Sequence, residues 1–361
     1  MATYQVWLLN SDYSKRALLA NTGQNRTWER LYYRQVLENI GACTIDMVPN
    51  SDKIDDIAAG RRILIVRNGT IVYGGIIVRH GWDIGENAPA DETYTVNVLD
   101  HAIYADWRIV EPGSGDSHDE RTGAADDIAK EYVYYHAGAG AGAGRPFSDL
   151  SVEADATAAG SITVQSRYDK LITVLQKIAR HGDINWRFAP TTSGCEFQTK
   201  YQKWGTDRTK GNGSSDEVVF TADRKNVLGM SYALDTSEHY NYAYVGGQGE
   251  EEDRTIVERS DATAISNYGR RERFVDARDL SVTSSLQDRG DAWLVEHEVL
   301  EALSCKPKPG GWKSDWDLGD HVTVQADRYG RTFTQDAEIY AVAVEIFANG
   351  VEHVTPEMRA V

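Results

Sequence analysis

Cysteine, proline and positive charge are all scarce in this 361-residue chain. Its three cysteines, Cys43, Cys195 and Cys305, lie far apart and form no C-x-x-C. That excludes a zinc ribbon, a dithiol redox motif and a disulfide framework, and suits thiols kept reduced during synthesis. Lys and Arg total 38 against 55 Asp and Glu, a formal net charge of −17. A conventional nucleic-acid binder needs clustered Lys and Arg for phosphate contacts, so that class is excluded. An anionic membrane surface would repel the chain for the same reason. No apolar run approaches the ~20 residues of a spanning helix, and no direct membrane anchor is expected. The start, Met1 to Trp7, lacks the basic region and apolar run of a secretory signal peptide. G-x-S-x-G, P-loop and G-x-G-x-x-G motifs are missing as well, so no catalytic, cofactor or metal residue is expected.

What is present points to strands. Tyr (19) and Trp (9) outnumber Phe (7), and glycine is abundant at 32, a composition that suits strands, turns and half-wet surfaces. At ~150 residues per domain the length allows two or three domains. The chain reads as a β-rich α+β protein with boundaries near 112 and 221. Within 1–112, RRILIVR and TIVYGGIIVR flank Asn68-Gly69, a strong hairpin signal, and Gly74-Gly75 suggests a bulge or bend. TYTVNVL (Thr93 to Leu99) alternates as a half-buried strand.

Residues 113–221 read as a small α+β domain. Thr122 is the expected N-cap of a first helix carrying Ile128, Ala129, Tyr132 and Val133. The AGAGAGAG tract at 137–144 has too little side chain to offset the entropy of ordering it and reads as a mobile loop. Ser166 to His181 is the best helix: Ser166 and Asp169 suggest a capping box, Leu171, Val174, Leu175 and Ile178 form one stripe, and Gly182 is a ready C-cap. Residues 222–361 return to strands, with a helix expected over 285–303.

Several clusters have a chemical reading beside a plainer one. His118-Asp119-Glu120 reads as a polar loop more readily than as metal ligands. Glu296-His297-Glu298 lacks the second His that a zinc protease needs. Asp315, Asp317 and Asp320 in SDWDLGD read first as a tight turn, then as a cation site, then as carboxylates for glycoside cleavage. The segment Tyr268 to Leu280 is charge-dense, with Arg270, Arg271, Arg273 and Arg278 against Glu272, Asp276 and Asp279. It reads as a solvated turn with weak ion pairs, or as an interface of arginine forks on a neighbour's carboxylates.

Five segments together resemble a known family: GRRILIVRNGTIVYGGIIV, YDKLITVLQKIARHGDINWRF, YAYVGGQGEEEDRTIVE, ISNYGRRERFVDARDL and LGDHVTV. They are similar, in order, to the tail-tip or baseplate hub proteins of long-tailed (siphovirus-type) phages, themselves similar to the central hub of contractile tails. The resemblance implies two tail-tube-like antiparallel β-barrels, at 1–112 and 222–361, with the α+β domain inserted between them. It implies a non-enzymatic homotrimer whose six barrels match a hexamer of tail-tube or distal tail protein, beside other tail-tip proteins. DNA would pass through the ring without specific binding, past surplus Asp and Glu lining the lumen, since like charges repel over a Debye length of ~8–10 Å. The location implied is the virion's tail tip, after synthesis in the host bacterial cytoplasm. Arg270, Arg271 and Arg278 would serve contacts between subunits or with neighbouring tail proteins. Because the last expected strand lies close to Val361, a fused wall-degrading domain is not expected. The competing functions are a glycan-cleaving tail protein using Asp315 and Asp317, a glycan-binding module built on the Trp and Tyr excess, and the hub of a contractile injection system.

Overall fold

A computed structural model of the chain describes residues 2–22, 27–49, 51–86, 92–213, 216–278, 280–308 and 310–361. Strand accounts for 47% and helix for 16%, so the chain is β-rich as its composition implied. The first stretch is almost wholly strand: β1 (Tyr4–Leu9), β2 (Lys15–Asn21), β3 (Trp28–Val36), β4 (Ala42–Met47), β5 (Arg62–Arg67), β6 (Thr70–Ile84) and β7 (Glu92–Asp100). The Asn-Gly hairpin forms as expected. Asn68 (φ 49°) and Gly69 (φ 82°) both take the left-handed conformation that a two-residue turn needs, joining β5 to β6. The register shifts on β6 fall between Ile71 and Tyr73 and between Ile77 and Arg79, on either side of Gly74-Gly75.

Next come α1 (Ile103–Asp106), β8 (Asp119–Ala124), α2 (Ala125–His136), β9 (Leu150–Val152), β10 (Ser161–Ser166), α3 (Leu171–Gly182), β11 (Ile184–Thr191) and β12 (Gly194–Tyr201). Four expectations are corrected here. Thr122 lies inside β8, which pairs antiparallel with β10, so α2 starts at Ala125. The 137–144 tract is tied down: the amides of Ala137 and Gly138 donate to the Val133 carbonyl and that of Gly140 to Tyr134, continuing the end of α2 as turns. Gly182 ends the helix proper, and Asp183 (φ 50°) is the left-handed C-cap. Glycine is needed at 182 for a different reason. A Cβ there would sit 2.1 Å from the Ala125 Cβ, at the start of α2. The expected stripe of α3 is buried in full, but the helix starts at Leu171 and not at Ser166: Ser166 ends β10, and its Oγ bond to Asp169 at 2.9 Å lies ahead of the helix, whose N-cap is Lys170 with no side-chain cap.

The remaining elements are β13 (Val219–Phe220), β14 (Val227–Asp235), β15 (Tyr242–Gly246), β16 (Ile256–Ser260), α4 (Ala262–Tyr268), β17 (Glu272–Asp276), α5 (Thr283–Glu296), β18 (Leu300–Pro307), β19 (His321–Arg328), β20 (Arg331–Phe347) and β21 (Glu352–Ala360). The helix expected over 285–303 is therefore shorter. It stops at Glu296, where His297 Nδ1 donates to the Trp293 carbonyl, and residues 300–307 form a strand paired with β14.

Strands from both ends of the chain share one eleven-stranded sheet, in the order β13-β19-β20-β3-β4-β7-β6-β5-β1-β2, with β21 also on β20. It is curled as a half-barrel. Register shifts within β1, β3, β5, β6 and β20 supply the local bends that curling needs. Ion pairs clip the chain's ends together across the sheet: Arg34 forks onto Glu357 with two bonds of 2.8 Å, and Arg67 and the Tyr4 hydroxyl hold Glu352 at 3.0 and 2.8 Å. These guanidinium and carboxylate groups are partly shielded, and paired forks of this kind are the stronger class of ion pair.

By compactness the chain forms two units, residues 1–228, 306–325 and 334–361, and residues 229–305 with 326–333. The first holds the sheet and a helical layer whose core runs from Ile103 and Tyr104 through Ile128, Tyr132, Leu171 and Leu175 to Trp186 and Phe197. The second has a small core of Ala243, Val245, Val275, Ala277, Leu286 and Leu294, formed where α5 covers one face of the sheet β16-β15-β17.

Candidate functional site

Strand periodicity decides which side chains the second unit offers to solvent. Ala243 and Val245 point under α5, so Tyr242 and Tyr244 point the other way. In register beside them stand Ser260 and Glu258 on β16, and Glu272 and Phe274 on β17. The Arg270 guanidinium lies 3.6 Å from the Tyr242 ring centre, donates to the Tyr244 hydroxyl at 2.8 Å and pairs with Glu272 at 2.5 Å. Arg254 lies over Phe274, donates to the carbonyls of Gly246 and Gly247, and pairs with Asp276 at 2.6 Å. Arg278 is 71% exposed at its side chain and reaches Asp276 at 3.3 Å.

Arg271 differs from these. Its amide donates to Asn241 Oδ1 at 2.8 Å, and its guanidinium donates to the Thr236 carbonyl. Arg270 and Arg278 thus stand on the surface, while Arg271 holds the turn that leads into β17. Asp279 lies outside the described residues.

The other clusters serve the fold. Asp119 takes the Arg121 fork at 2.9 and 3.1 Å and meets His136 Nε2 at 2.8 Å. Burial pushes the His136 imidazole below its usual pKa, with Asp119 opposing. His297 stacks on Trp293 at 3.9 Å and caps α5. Asp320 is buried, and accepts from the amides of Thr206 (2.7 Å) and Asp317 (2.9 Å) and from Arg208 Nε (3.0 Å). Asp317 is held by Lys313 at 2.7 Å and by the Leu318 amide at 2.7 Å. The SDWDLGD segment is therefore a turn locked by its own acids, as its first reading has it. Among the described residues, no group of three or more His, Cys, Asp or Glu is placed to hold a metal ion. Cys43, Cys195 and Cys305 are free thiols. No helix among the described residues is long and apolar enough to cross a membrane.

One surface escaped the sequence reading. The run TIVYGGIIVR suggested a strand ending near Arg79, yet β6 continues to Ile84. Residues 78–84 pair with β7 along one edge, while among the described residues the pairing on the other edge, from β5 and the residues just before it, stops at Ile77. Trp82 is 65% exposed and Ile84 55%. The alternation of Trp82 and Ile84 with Gly81 and Asp83 was the available signal. A strand with an open edge and large apolar side chains is a template for pairing with another chain.

A family model described as Siphovirus ReqiPepy6 Gp37-like protein matches residues 6–358. The chain belongs to that family. Among solved structures, the Gp37-like chain is similar to the 43 kDa tail protein of prophage MuSo2 from Shewanella oneidensis, with TM-score 0.63, 12% identity and 99% and 98% of the two chains covered. It is also similar to the tail protein from Neisseria meningitidis MC58, with TM-score 0.57, 15% identity and 98% and 96% covered. A third is a Francisella PdpA–VgrG complex, with TM-score 0.51, 10% identity, 99% of this chain and 57% of that one covered. Identities this low speak for the fold alone. No curated protein sequence matches significantly.

Proposed function

We propose that this Gp37-like protein is the structural hub of the phage tail tip or baseplate, three copies forming a hollow ring that ends the tail tube and lets DNA pass. The observation that carries the reading is the incomplete sheet: eleven strands curl only as far as a half-barrel, and β6 leaves residues 78–84 with an open edge beside Trp82 and Ile84. Such a surface is completed by another chain, and a second copy is the partner that symmetry makes cheapest. The strands of 1–112 and those of 222–361 are read as two tube-like lobes joined through β3 and β20, with 113–221 as the insertion. Three copies then offer six lobes to a hexameric tube or distal tail protein.

The surplus of 17 negative charges is assigned to the lumen, where it keeps DNA phosphates from adhering. Arg270 and Arg278 are proposed as contacts with neighbouring subunits or tail proteins. The same proposal for Arg271 is supported less well, because its donors are turned inward. Synthesis in the host cytoplasm belongs to this reading. The glycan-cleaving alternative finds no support in Asp317, whose carboxylate is already engaged. The test is stoichiometry in purified virions by quantitative mass spectrometry. Three copies per tail are expected, and Trp82→Glu is expected to accumulate as folded chain while tails fail to assemble. One or six copies per tail, or normal tails with Trp82→Glu, would overturn the proposal.

A further inference from the structure

Within the first unit a cleft of about 860 Å³ opens between the end of β3, the outer side of α3, the start of β11 and the ends of β20 and β21. Its floor is ionic. Glu338 on β20 is 2% exposed, and its Oε2 accepts from Arg359 Nε at 2.7 Å. Its other oxygen, Oε1, is buried and has no hydrogen-bond partner among the described residues. Arg359 is already committed: it forks onto Glu38 with two bonds of 2.9 Å and reaches Asn185 Oδ1 at 3.2 Å. Asp183, at the cleft's edge, is near enough to act on Glu338 electrostatically. Two carboxylates, Glu38 and Glu338, therefore share one guanidinium, with the Asp183 carboxylate lining the same cleft. Lys203, also lining the cleft, is engaged with Asp207 at 2.5 Å. His321 Nε2, also lining the cleft, is buried and unpartnered.

A buried carboxylate oxygen needs a donor, and here it also needs positive charge. A neutral donor would satisfy the lone pairs and leave the charge. A metal ion would need a ligand cluster, and the described residues provide none. A cation bearing N–H groups supplies both. We infer that this cleft is a binding site for an organic cation, a primary ammonium or guanidinium group, whose N–H donors meet Glu338 Oε1 while Asp183 adds charge at the rim. Burial raises the Glu338 carboxyl above its usual pKa, with Arg359 opposing, so a cationic occupant brings it back toward the ionised form. The inference is independent of the trimeric ring, since every residue named lies in one chain. The same chemistry is carried by a lysine or arginine of a neighbouring protein and by a free polyamine.

The test is titration of the intact chain at low ionic strength, followed by NMR or calorimetry, with n-propylammonium, methylguanidinium and putrescine. Tetramethylammonium, equal in charge but without N–H donors, is the control. Saturable binding at one site is expected for the N–H cations, with tetramethylammonium weaker by about tenfold or more. Glu338→Gln, nearly isosteric, is expected to weaken binding about tenfold. Asp183→Asn, where asparagine tolerates the left-handed φ, keeps the fold and is expected to weaken it roughly threefold. Methylguanidinium binding far tighter than n-propylammonium supports the site and points to a neighbour's arginine. Putrescine binding far tighter supports it and points to a free polyamine. Absence of saturable binding, equal binding of tetramethylammonium, or wild-type affinity in both variants would overturn the inference.

Discussion

The two units of this chain bury very different cores. In the first, α2 and α3 contribute an almost unbroken apolar layer, closed by the aromatic group of Trp186, Phe188 and Phe197 with ring centres 5.0 to 6.1 Å apart. In the second, one helix covers one face of a three-stranded sheet, and six residues make the core. Its opposite face shows Tyr242, Tyr244 and Phe274 to solvent, with Arg270 and Arg254 laid across the rings. The first unit holds itself together. The second keeps little apolar surface for itself and displays side-chain types, Tyr, Phe and Arg, that are enriched where proteins bind each other. The two units thus differ in how much apolar surface each keeps for its own stability.

This contrast can be broken most severely at Trp186. Trp186→Ala removes the centre of the aromatic group and is expected to cost about 3–5 kcal/mol in denaturant unfolding. A cost below about 1 kcal/mol would show that the helical layer is not the stabilising one. Leu286→Ala is expected to cost about 2–4 kcal/mol. Its effect should be local, with hydrogen exchange accelerating at Tyr242 to Gly246 while amides around Trp186 keep their protection. Equal acceleration in both units would mean that they unfold as one.

A third probe uses pH. His101 is 1% exposed, lies 2.6 Å from the Tyr13 hydroxyl, and burial pushes its pKa down from 6.5 to about 4. The unfolded chain takes up its proton first, so stability is full above about pH 6.5 and falls as pH drops toward 4. The linked loss is about 3 kcal/mol at most. His101→Gln is expected to flatten that limb, and an unchanged acid limb would contradict the assignment. The smallest effect is expected at the exposed arginine. Arg278→Ala should leave the melting temperature of the isolated chain unchanged while reducing tail assembly. A destabilised chain that still assembles normally would contradict both expectations.

Much of the fold was legible wherever local chemistry decides it. Asn68-Gly69 demands left-handed backbone, so the hairpin follows. Leu171, Val174, Leu175 and Ile178 recur at helical spacing, so α3 follows. Legibility failed where pairing with a distant segment decides. DERTGA has no apolar alternation and becomes β8 only because β10 lies beside it. Leu300 to Pro307 continued the apolar spacing of α5, yet forms a strand because β14 is its partner. The joining of β3 to β20, more than three hundred residues apart, leaves no trace in either strand, since each alternates in the same way whatever its neighbour. The cationic surface was half legible. A charge-dense segment is visible in sequence, but the separation of inward Arg271 from outward Arg270 and Arg278 depends on Asn241 and Thr236, which no local pattern connects to it. The cleft around Glu338 was not legible, because Glu38 and Asp183 come from distant places to the β20–β21 hairpin that pairs Glu338 with Arg359.

The central claim is that this protein closes into a ring on the tail axis. A cryo-EM map of the tail tip tests it most directly. The account expects three copies around an open channel, with β6 residues 78–84 against a neighbouring copy and Asp and Glu facing the lumen. A single copy off the axis, or a threefold ring whose channel wall is basic, would contradict it.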